Sequence, residues 1–501
     1  MLIEDARSVV KSYVEEEPGF NTFSNGCNLL FSKILFCKLV NCKDYILSPR
    51  YNIMFYGRED ELAELNRRYD SEGFQFVPVY GRRRVGKTAL IDEFIKDKAA
   101  VKFTAVKGSY STNMRLLSSI VLGVKNAPPM NFEDILEAMH SRFGGKRYVF
   151  AIDEYPYLVR SDESVTGILN NFIESHLDSQ VFIILSGSSM NIMKNQILGK
   201  KSPLYGRRTG QIKLSPFPFS ETGPFLSNYS DEERMTVYGL VGGIPWYLSF
   251  FDDRKSLKEN IIDNLINPYA VLNKEATLLF AEEFESPVAY YDVISSIAKG
   301  HNRVGEIAAD SGLETSRISV LLKELIILEI IEKVRPIDDP KSKRTLYRIK
   351  DHYLRSYFKF IYPENVEVSR YHYDDVYNEM MEGMDTYLGH IFEDVCSEYI
   401  GRTCREVGTW WGTDPSTRKK EEIDIAALNK GHMVLCECKY QSEPADKDVI
   451  QTLIRRAGLV KSNLPKELFV FSRSWYTEEA IELARTKDVA LRSLKDVSHP
   501  E

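Results

Sequence analysis

Residues 81–88 read GRRRVGKT, which fits the pattern G-x-x-x-x-G-K-[ST]. The apolar run at 74–80 before it is typical of a buried strand, and residues 89–95 after it carry apolar side chains at helical spacing. Strand, glycine loop and helix in this order are the context in which the pattern forms a phosphate-binding loop. We therefore expect a nucleotide site here; a basic glycine turn is the alternative.

The loop predicts specific contacts with a nucleotide. Backbone N–H groups of the loop and of the following helix N-terminus point at the phosphates in such a site. Lys87 adds a positive charge and is expected to take part in catalysis, and the Thr88 hydroxyl is expected to join a Mg²⁺ ion. The residues expected to contact the nucleotide are consecutive: Gly81, Arg82, Arg83, Arg84, Val85, Gly86, Lys87, Thr88 and Ala89.

A second motif lies at 146–154, where KRYVFAIDE reads as an apolar strand that ends in two acids. Asp153 at the end of this strand is expected to hold Mg²⁺, which favours oxygen ligands, and to lie beside the nucleotide. Glu154 next to it is predicted to orient and polarise the attacking water as a general base.

Two further features belong to the same predicted domain. The run VFIIL at 181–185 ends in small polar residues, and Ser186 is expected to sense the γ-phosphate or the water; a capped strand-to-helix turn is the alternative. Arg207 and Arg208 lie in a glycine turn, and Arg is suited to a transition-state phosphate clamp. If one of them acts on a neighbouring subunit's nucleotide, the protein forms a homo-oligomer; a solvated basic loop is the alternative.

Taken in order, the segments YGRE (residues 56–59), GRRRVGKT, FAIDE, LSGSS, LYGRRT and GGIPWYL (residues 242–248) resemble the archaeal-type AAA+ ATPases. The resemblance covers residues 54–285. It implies an α/β fold with a parallel sheet, a helical lid over residues 220–285, and ATP with Mg²⁺ as cofactors. In that family the GRE segment lies by the adenine and the GG-x-P segment belongs to the lid.

Residues 286–362 have a different pattern. Helical spacing followed by short apolar runs predicts three helices, at 288–298, 303–310 and 314–325, and two strands, at 330–334 and 345–349. This arrangement resembles a winged helix-turn-helix, which places its third helix in the major groove of DNA.

The resemblance singles out candidate DNA contacts. They would be Ser316, Arg317 and Ser319 on the third helix, and Lys341, Lys343 and Arg344 in the wing. Residues 287–350 contain 11 Lys and Arg against 9 Asp and Glu, a balance of only +2. A structural or protein-binding role is therefore the alternative to DNA binding.

A second chemistry is predicted in the segment 384–485. Alternation along a strand places Glu437 and Lys439 on one face, and Asp424 on the preceding strand of a hairpin can join that face. Two carboxylates and a lysine can hold Mg²⁺ and position water for attack on a phosphodiester.

This D…E-x-K arrangement, with Glu393 on an upstream helix, resembles the PD-(D/E)xK nuclease superfamily, whose domain has an α/β restriction-endonuclease-like fold. The resemblance implies that Glu393, Asp424 and Glu437 bind metal and that Glu437 and Lys439 act in catalysis. Exposed hairpins rich in Glu and Lys match this loose pattern by chance as well.

Neighbouring residues complete the prediction for the C-terminal segment. Cys436 and Cys438 are expected to face the core as thiols, because no second pair completes a zinc site. Arg455 and Arg456 are predicted to lie on a solvated helix face, with contact to a nucleic-acid backbone as the alternative. Residues 363–383 are expected to be a linker and 486–501 a tail.

Composition is that of an ordinary globular protein. The 501 residues are 43% hydrophobic and 27% charged, with a net charge of −7, which argues against a wholly basic nucleic-acid coat. The seven cysteines are expected to be reduced, and no apolar run reaches the roughly 18 residues of a membrane span. We expect a cytoplasmic protein without a membrane partner. Residues 1–53 carry no clear motif and are interpreted either as an upstream extension or as a helical partner-binding arm.

Together the motifs predict an ATP-hydrolysing enzyme that acts on DNA through a winged helix and a Mg²⁺-dependent nuclease. The alternative is a nucleotide-switched regulator or scaffold whose C-terminal domain is not catalytic.

Overall fold

A computed structural model describes residues 55–339, 345–362 and 372–500. The described residues all belong to one compact unit, Phe55–Glu501. The predicted N-terminal extension and the predicted wing residues Lys341, Lys343 and Arg344 lie outside the described residues.

The first half of the unit is built on a five-stranded sheet in which all neighbouring strands are parallel. The three central strands of the sheet are nearly continuous buried runs, as expected where helices cover both faces of a parallel sheet. In chain order the strands are β1 (Gln75–Gly81), β2 (Ala100–Thr104), β3 (Tyr148–Asp153), β4 (Val181–Gly187) and β5 (Ile212–Leu214). Across the sheet they lie in the order β2-β3-β4-β1-β5. The parallel α/β sheet predicted from the sequence is confirmed.

Two of the helices around this sheet begin at a side chain that caps them. The Ser109 side chain accepts a hydrogen bond from the Thr112 N–H, and the Asn131 side chain accepts one from the Asp134 N–H. The helices are α1 (Glu59–Asp70), α2 (Lys87–Ile95), α3 (Tyr110–Leu122), α4 (Phe132–Phe143), α5 (Tyr155–Ser161), α6 (Ser164–Ser175) and α7 (Met190–Ile192), which continues as a π-turn over Met193–Leu198.

A group of helices follows the sheet at the residues that were predicted to form the lid, and these helices are called the lid below. The first begins with a capping box, in which Ser230 and Glu233 bond each other's backbone N–H. They are α8 (Asp231–Val241), α9 (Pro245–Leu248), α10 (Leu257–Ile261), which continues as a π-turn over Ile262–Ile266, and α11 (Val271–Glu283).

Three helices and a two-stranded antiparallel ribbon form the next segment, close to the predicted boundaries. They are α12 (Val288–Ala298), α13 (Val304–Ser311), α14 (Thr315–Ile327), β6 (Ile331–Val334) and β7 (Leu346–Ile349).

The C-terminal part contains a mixed five-stranded sheet with the order β12-β11-β10-β9-β8. Strands β8 to β10 are antiparallel neighbours, and β10, β11 and β12 are parallel. The helices are α15 (His352–Ser356), extended by a π-turn over Tyr357–Ile361, α16 (Tyr373–Glu382), α17 (Met384–Gly401), α18 (Lys447–Leu459), α19 (Glu478–Lys487) and α20 (Leu494–Ser498). The strands are β8 (Glu406–Thr413), β9 (Lys420–Asn429), β10 (His432–Lys439), β11 (Lys466–Ser472) and β12 (Val489–Ser493).

The structure differs from the sequence-based expectation at two places. The segment expected to be a linker contains helix α16, whose Met380 is buried. The segment expected to be a tail contributes the edge strand β12, because Val489 and its neighbours pair with β11. Both pieces are short, so their apolar residues give a weak periodic signal.

The C-terminal part packs directly on the lid. A Cβ added at Gly239 on α8 would lie 2.7 Å from a methyl carbon of Leu388 on α17, so glycine permits the close approach of the two helices. The Tyr387 hydroxyl donates to the Gly239 carbonyl at 2.6 Å, and the Ser356 hydroxyl donates to the Leu240 carbonyl at 2.6 Å. The two halves therefore share one packed interface. Within the described ranges, no helix is long and apolar enough to cross a membrane.

Candidate functional site

The phosphate loop connects β1 to the N-terminus of α2. Gly86 adopts a left-handed conformation, with φ of 95°, immediately before the helix, and its carbonyl accepts from the Leu90 N–H. A Cβ at Gly81 would lie 2.2 Å from the Leu214 carbonyl oxygen, so only glycine fits where the loop leaves the sheet. Thr88 and Ala89 are exposed at the start of α2, where free N–H groups favour an anion.

Lys87 is buried beneath the loop. Its Nζ donates to the carbonyls of Gly81, at 3.0 Å, and Arg82, at 2.7 Å. Burial lowers the pKa of Lys87 to about 8, although the nearby Glu154 and Asp153 carboxylates act in the opposite direction. The side chain therefore carries a positive charge at neutral pH inside the loop.

The two predicted acids lie at the end of β3, beside the loop. Asp153 is buried and accepts hydrogen bonds from the Thr88 hydroxyl, at 2.7 Å, and from the Ser186 hydroxyl. Glu154 adopts a left-handed conformation, with φ of 52°, and its carboxylate accepts from the Ser188 hydroxyl at 3.0 Å. The fold thus brings together Lys87, Thr88, Asp153, Glu154 and Ser186, as the sequence predicted.

The serine beside Glu154 was missed by sequence reasoning, which selected Ser186. The run SGSS at residues 186–189, where β4 ends, indicated small polar residues at the edge of the sheet but not which serine faces which acid. Ser186 lies within the strand and reaches Asp153, and Ser188 lies beyond Gly187 and reaches Glu154.

Each of the three loop arginines is paired with an acid from a later element. Arg82 forms an ion pair with Asp351, and both side chains are almost fully buried, with 10% and 3% of their surface exposed. The carboxylate of Asp351 raises the pKa of Arg82 against the opposing effect of burial, which keeps the guanidinium charged.

Arg83 and Arg84 contact the lid. Arg83 pairs with Glu282, at 2.9 Å, and Glu283, at 3.2 Å, both at the end of α11. Arg84 pairs with the buried Glu275 of the same helix at 2.8 Å, and its guanidinium stacks over the Trp246 ring at 3.6 Å. The loop and the lid are therefore held together by charge.

The GRE segment, expected near the adenine, and the GG-x-P segment, expected in the lid, also meet at the loop. Arg58 donates to the carbonyls of Val85, at 3.2 Å, and Ser215, at 2.6 Å, and lies over the Phe217 ring at 4.0 Å. The Phe217 N–H in turn donates to the Gly243 carbonyl at 2.8 Å. The GRE and GG-x-P motifs thus close on each other beside the phosphate loop.

The acids of the C-terminal sheet lie where the alternation predicted. Cys436 on β10 pairs with Ile425 on β9, which makes Asp424 and Glu437 the next opposed residues in the antiparallel register. An Asp424 oxygen accepts from the Cys438 N–H at 2.8 Å, and Lys439 Nζ donates to Glu437 at 2.8 Å.

Glu437 accepts hydrogen bonds from cationic side chains, whereas Asp424 lies in a buried environment beside two other carboxylates. Burial raises the pKa of Asp424 to about 7, with the negative charges of Glu437 and Glu393 acting in the same direction. Glu393 lies on α17, where His390 is 3.3 Å from its carboxylate. Helix and hairpin therefore bring the predicted residues into one electrostatic environment.

Arg456 changes the interpretation of this site. It was predicted to lie on a solvated face, but its guanidinium donates to both Glu437 oxygens, at 3.0 and 2.9 Å, and to Glu421 at 3.0 Å. Arg455 is half exposed and pairs with Glu421 at 2.8 Å. In the described ranges no group of three or more His, Cys, Asp or Glu side chains is arranged to hold a metal ion. The predicted set of Glu393, Asp424 and Glu437 is therefore not assembled for metal in this structure, because Arg456 and Lys439 engage Glu437.

Comparison with known proteins agrees with the first of these sites. Residues 55–251 match the model of an ATPase domain predominantly from Archaea, and residues 357–452 match a family described as Archaea bacterial proteins of unknown function. An uncharacterized protein of Methanocaldococcus jannaschii is 31% identical over 429 residues, which cover 81% of this chain and 92% of that protein. The chain belongs to this archaeal-type ATPase family.

Other similar proteins cover less of this ATPase. An uncharacterized ATP-binding protein of Pyrococcus abyssi is 28% identical over 348 residues, which cover 56% of this chain and 100% of that protein. Among solved structures, the Walker-type ATPase of Pyrococcus abyssi aligns with a TM-score of 0.47 and 19% identity, covering 61% of this chain and 96% of that one. The Aeropyrum pernix ORC1 protein in complex with DNA aligns with a TM-score of 0.34 and 13% identity, covering 68% and 95%.

Two predicted arginines of the ATPase lie in other surroundings. Arg207 pairs with Glu174 on α6 and bonds Asn170 at 3.3 Å. Arg208 bonds Gln211 and the Leu198 carbonyl. Among the described residues, neither arginine contacts the phosphate loop or the acids of β3. No contact within one subunit therefore supports the predicted role of Arg207 and Arg208 in phosphate chemistry.

Proposed function

We propose that this ATPase binds ATP with Mg²⁺ at the phosphate loop, hydrolyses it in the cytoplasm and uses the nucleotide state to control its C-terminal part. The observation that carries the proposal is the cluster in which Thr88, Asp153 and Glu154 surround the buried Lys87. A family of ATPases and an ATP-binding relative support the nucleotide assignment.

The donor set fits a hydrated Mg²⁺ ion. The Thr88 hydroxyl and the Asp153 carboxylate are hard oxygen ligands 2.7 Å apart, and these two residues would hold the ion. When bound, Mg²⁺ would neutralise charge on the β- and γ-phosphates.

The other residues act directly on the nucleotide and water. Lys87 would exchange its two loop carbonyls for phosphate oxygens, which are stronger acceptors because they are charged. Glu154, positioned by Ser188, would orient the attacking water and accept its proton. Ser186 fixes Asp153 and leaves its second oxygen to Thr88.

ATP turnover by the full-length chain tests this proposal. Wild type should release phosphate, and Lys87→Ala should abolish release, because the loop loses its buried cation. Lys96→Ala is the matched control, since Lys96 is 74% exposed just beyond the same helix. Phosphate release by Lys87→Ala at the wild-type rate would refute the assignment.

We further propose DNA as a partner of helix α14. Ser316, Arg317 and Ser319 are exposed on this helix, and the fold of three helices with a ribbon resembles a winged helix-turn-helix. Arg317 also lines a cavity of about 410 Å³ together with Arg160 of the ATPase part, so its surroundings include the nucleotide domain. DNA affinity that falls with salt and with Arg317→Ala supports binding; affinity unchanged in that variant opposes it.

Phosphodiester cleavage is the second candidate activity, favoured by the opposed Asp424 and Glu437 with Lys439 beside them. It requires Arg456 to release Glu437 first. Plasmid cleavage with Mg²⁺, with and without ATP, should be lost in Glu437→Gln. If wild type leaves DNA intact under both conditions, the C-terminal domain is a non-catalytic part of a nucleotide-switched regulator.

Homo-oligomerisation is the remaining proposal. Arg207 or Arg208 would then reach a neighbouring subunit's nucleotide, after leaving its present partners. Sedimentation with and without ATP, compared with ATP turnover of each Arg→Ala variant, tests this proposal. A monomer that hydrolyses ATP at a rate independent of protein concentration excludes it.

A further inference from the structure

Two groups of ion pairs, joined by helix α15, lie between the phosphate loop and the helix that carries Glu393. The first begins at Arg82, whose guanidinium pairs with Asp351 in an environment that is almost closed to solvent. Asp351 also caps helix α15, because its other oxygen accepts from the Leu354 N–H at 2.6 Å. One carboxylate therefore holds both the loop and the start of this helix.

The second group centres on Asp394 of α17. Two arginines and a histidine surround this carboxylate: Arg355 at 3.0 Å, Arg348 at 3.2 Å and His352 at 3.5 Å. Arg348 comes from β7, and the other two come from α15, which Asp351 caps. Burial alone would raise the pKa of Asp394, but the two guanidinium charges and the hydrogen bond with His352 hold it well below its usual range.

Asp394 is adjacent to Glu393, so the last link and the predicted acid lie on one helix. A rotation or shift of α17 that follows Asp394 also moves Glu393 relative to Asp424. Arg82, Asp351 and Asp394 all line a cavity of about 450 Å³ between the lid and the C-terminal part. A close-packed interface resists small rearrangements, and this cavity leaves room for one.

We infer that Asp351 and Asp394 are positioning residues that transmit the state of the phosphate loop to helix α17 and its Glu393. Phosphates that bind at the loop attract Arg82 and thereby weaken its pair with Asp351. Release of Asp351 frees the start of α15, and His352 and Arg355 on that helix then carry the change to Asp394. The inference rests on the proposed binding of ATP but does not require DNA cleavage.

Hydrogen–deuterium exchange of the full-length protein measures this coupling directly. We compare peptides from Met384–Gly401 without nucleotide and with Mg²⁺ and a non-hydrolysable ATP analogue. The expected change in exchange rate for wild type is about five-fold or more, the lower end of typical coupling between sites. Asp351→Asn should bind the analogue but lose the change on α17, because Asn retains the cap and removes the charge.

Asp385→Asn is the matched control. It is the same Asp-to-Asn substitution, placed in the first turn of α17, the helix whose exchange is measured. Asp385 is 82% exposed and pairs with Arg473, which is not one of the residues that link the loop to Asp394. This variant should respond to the analogue as wild type does. Arg355→Met provides a second break, at the other end of the network, in case Asp351→Asn does not fold.

Calorimetry on the same samples separates the possible failures. If wild type does not bind the analogue, the proposed nucleotide function fails, and the inference fails with it. If wild type binds it and α17 does not respond, the ATP site stands and the inference is wrong. The inference is equally wrong if the folded Asp351→Asn and Arg355→Met variants both keep the wild-type response.

Discussion

Replacing Arg84 with methionine should destabilise the protein by an amount that depends on pH. Glu275, its partner, is fully buried and accepts from the Tyr247 hydroxyl at 3.0 Å. Burial raises the pKa of Glu275 from 4.5 to about 6, although Arg84 and Tyr247 oppose this effect. Since its pKa is higher in the folded state, the ionisation of this carboxyl reduces the free energy of unfolding, and the reduction is largest when the pH is above 6.

The magnitude follows from these pKa values. At pH 7 the shift from 4.5 to about 6 costs about 2 kcal/mol of folding free energy, at 1.36 kcal/mol per unit. Without Arg84, Glu275 would bind a proton on folding at pH 7. Protonating a carboxyl of pKa 4.5 at pH 7 costs about 3.4 kcal/mol at 1.36 kcal/mol per pH unit, and this value is the upper limit of the folding cost in the variant. The difference is about 1.4 kcal/mol, to which loss of the stacking of Arg84 on Trp246 adds about 0.5–1 kcal/mol.

Thermal unfolding of the nucleotide-free protein tests this prediction. A loss of about 2 kcal/mol lowers Tm by about 4–8 °C in a cooperative unit of 150–250 residues. At pH 5 the carboxyl is mostly protonated in the folded state of both proteins, so only the loss of stacking should remain. The double variant Arg84→Met with Glu275→Gln should recover most of the stability at pH 7. Equal destabilisation of Arg84→Met at pH 5 and pH 7 would refute the reasoning.

Three further outcomes are expected. Glu154→Gln should lower ATP turnover by about 100-fold or more while ATP still binds, because the general base is lost and the phosphate contacts remain; turnover close to wild type would remove Glu154 from the mechanism. Glu398→Gln should be more favourable for folding at pH 8 than at pH 5 by about 1 kcal/mol, since burial raises the pKa of Glu398 to about 6. The loss of one of the two acceptors that serve the Tyr238 hydroxyl and the Phe219 N–H costs the same at both pH values, and a pH-independent effect in thermal unfolding contradicts the prediction. The nucleotide-free Arg456→Met variant should bind Mn²⁺ about five-fold more tightly than wild type. This factor corresponds to the loss of an ion pair of about 1 kcal/mol between Arg456 and Glu437. Mn²⁺ affinity is measured by electron paramagnetic resonance, and an unchanged affinity excludes competition between Arg456 and metal.

The phosphate site was predictable from sequence because its parts are local. A strand, a glycine loop and a helix follow each other directly, and Asp153 and Glu154 end a strand whose apolar run is unmistakable. Parallel strands present their carboxyl ends at one edge of the sheet, so the loop and the acids meet without further information.

The partners of the loop arginines were not predictable in this way. Arg82 and Asp351 are 269 residues apart, and no local spacing connects them. In the sequence Asp351 resembles an ordinary helix cap. In the structure it caps α15 and also pairs with Arg82. Arg456 presents the complementary case, because a helix with alternating polar residues predicts a solvated face, whereas the fold of the sheet brings Glu437 and Glu421 against it.

The loop motif leaves its four x positions free, and this chain fills three of them with arginines. These cations are not available to phosphate without cost, because each one already neutralises a carboxylate of α11 or α15. A phosphate therefore gains only the difference between its own attraction and that of Asp351, Glu283 or Glu275. A ligand shifts a conformational equilibrium by its differential affinity for the two states, and here this difference is set by carboxylates outside the motif. The residues of the proposed nucleotide site are local, whereas the proposed control of the C-terminal part depends on distant acids that the loop arginines would have to release.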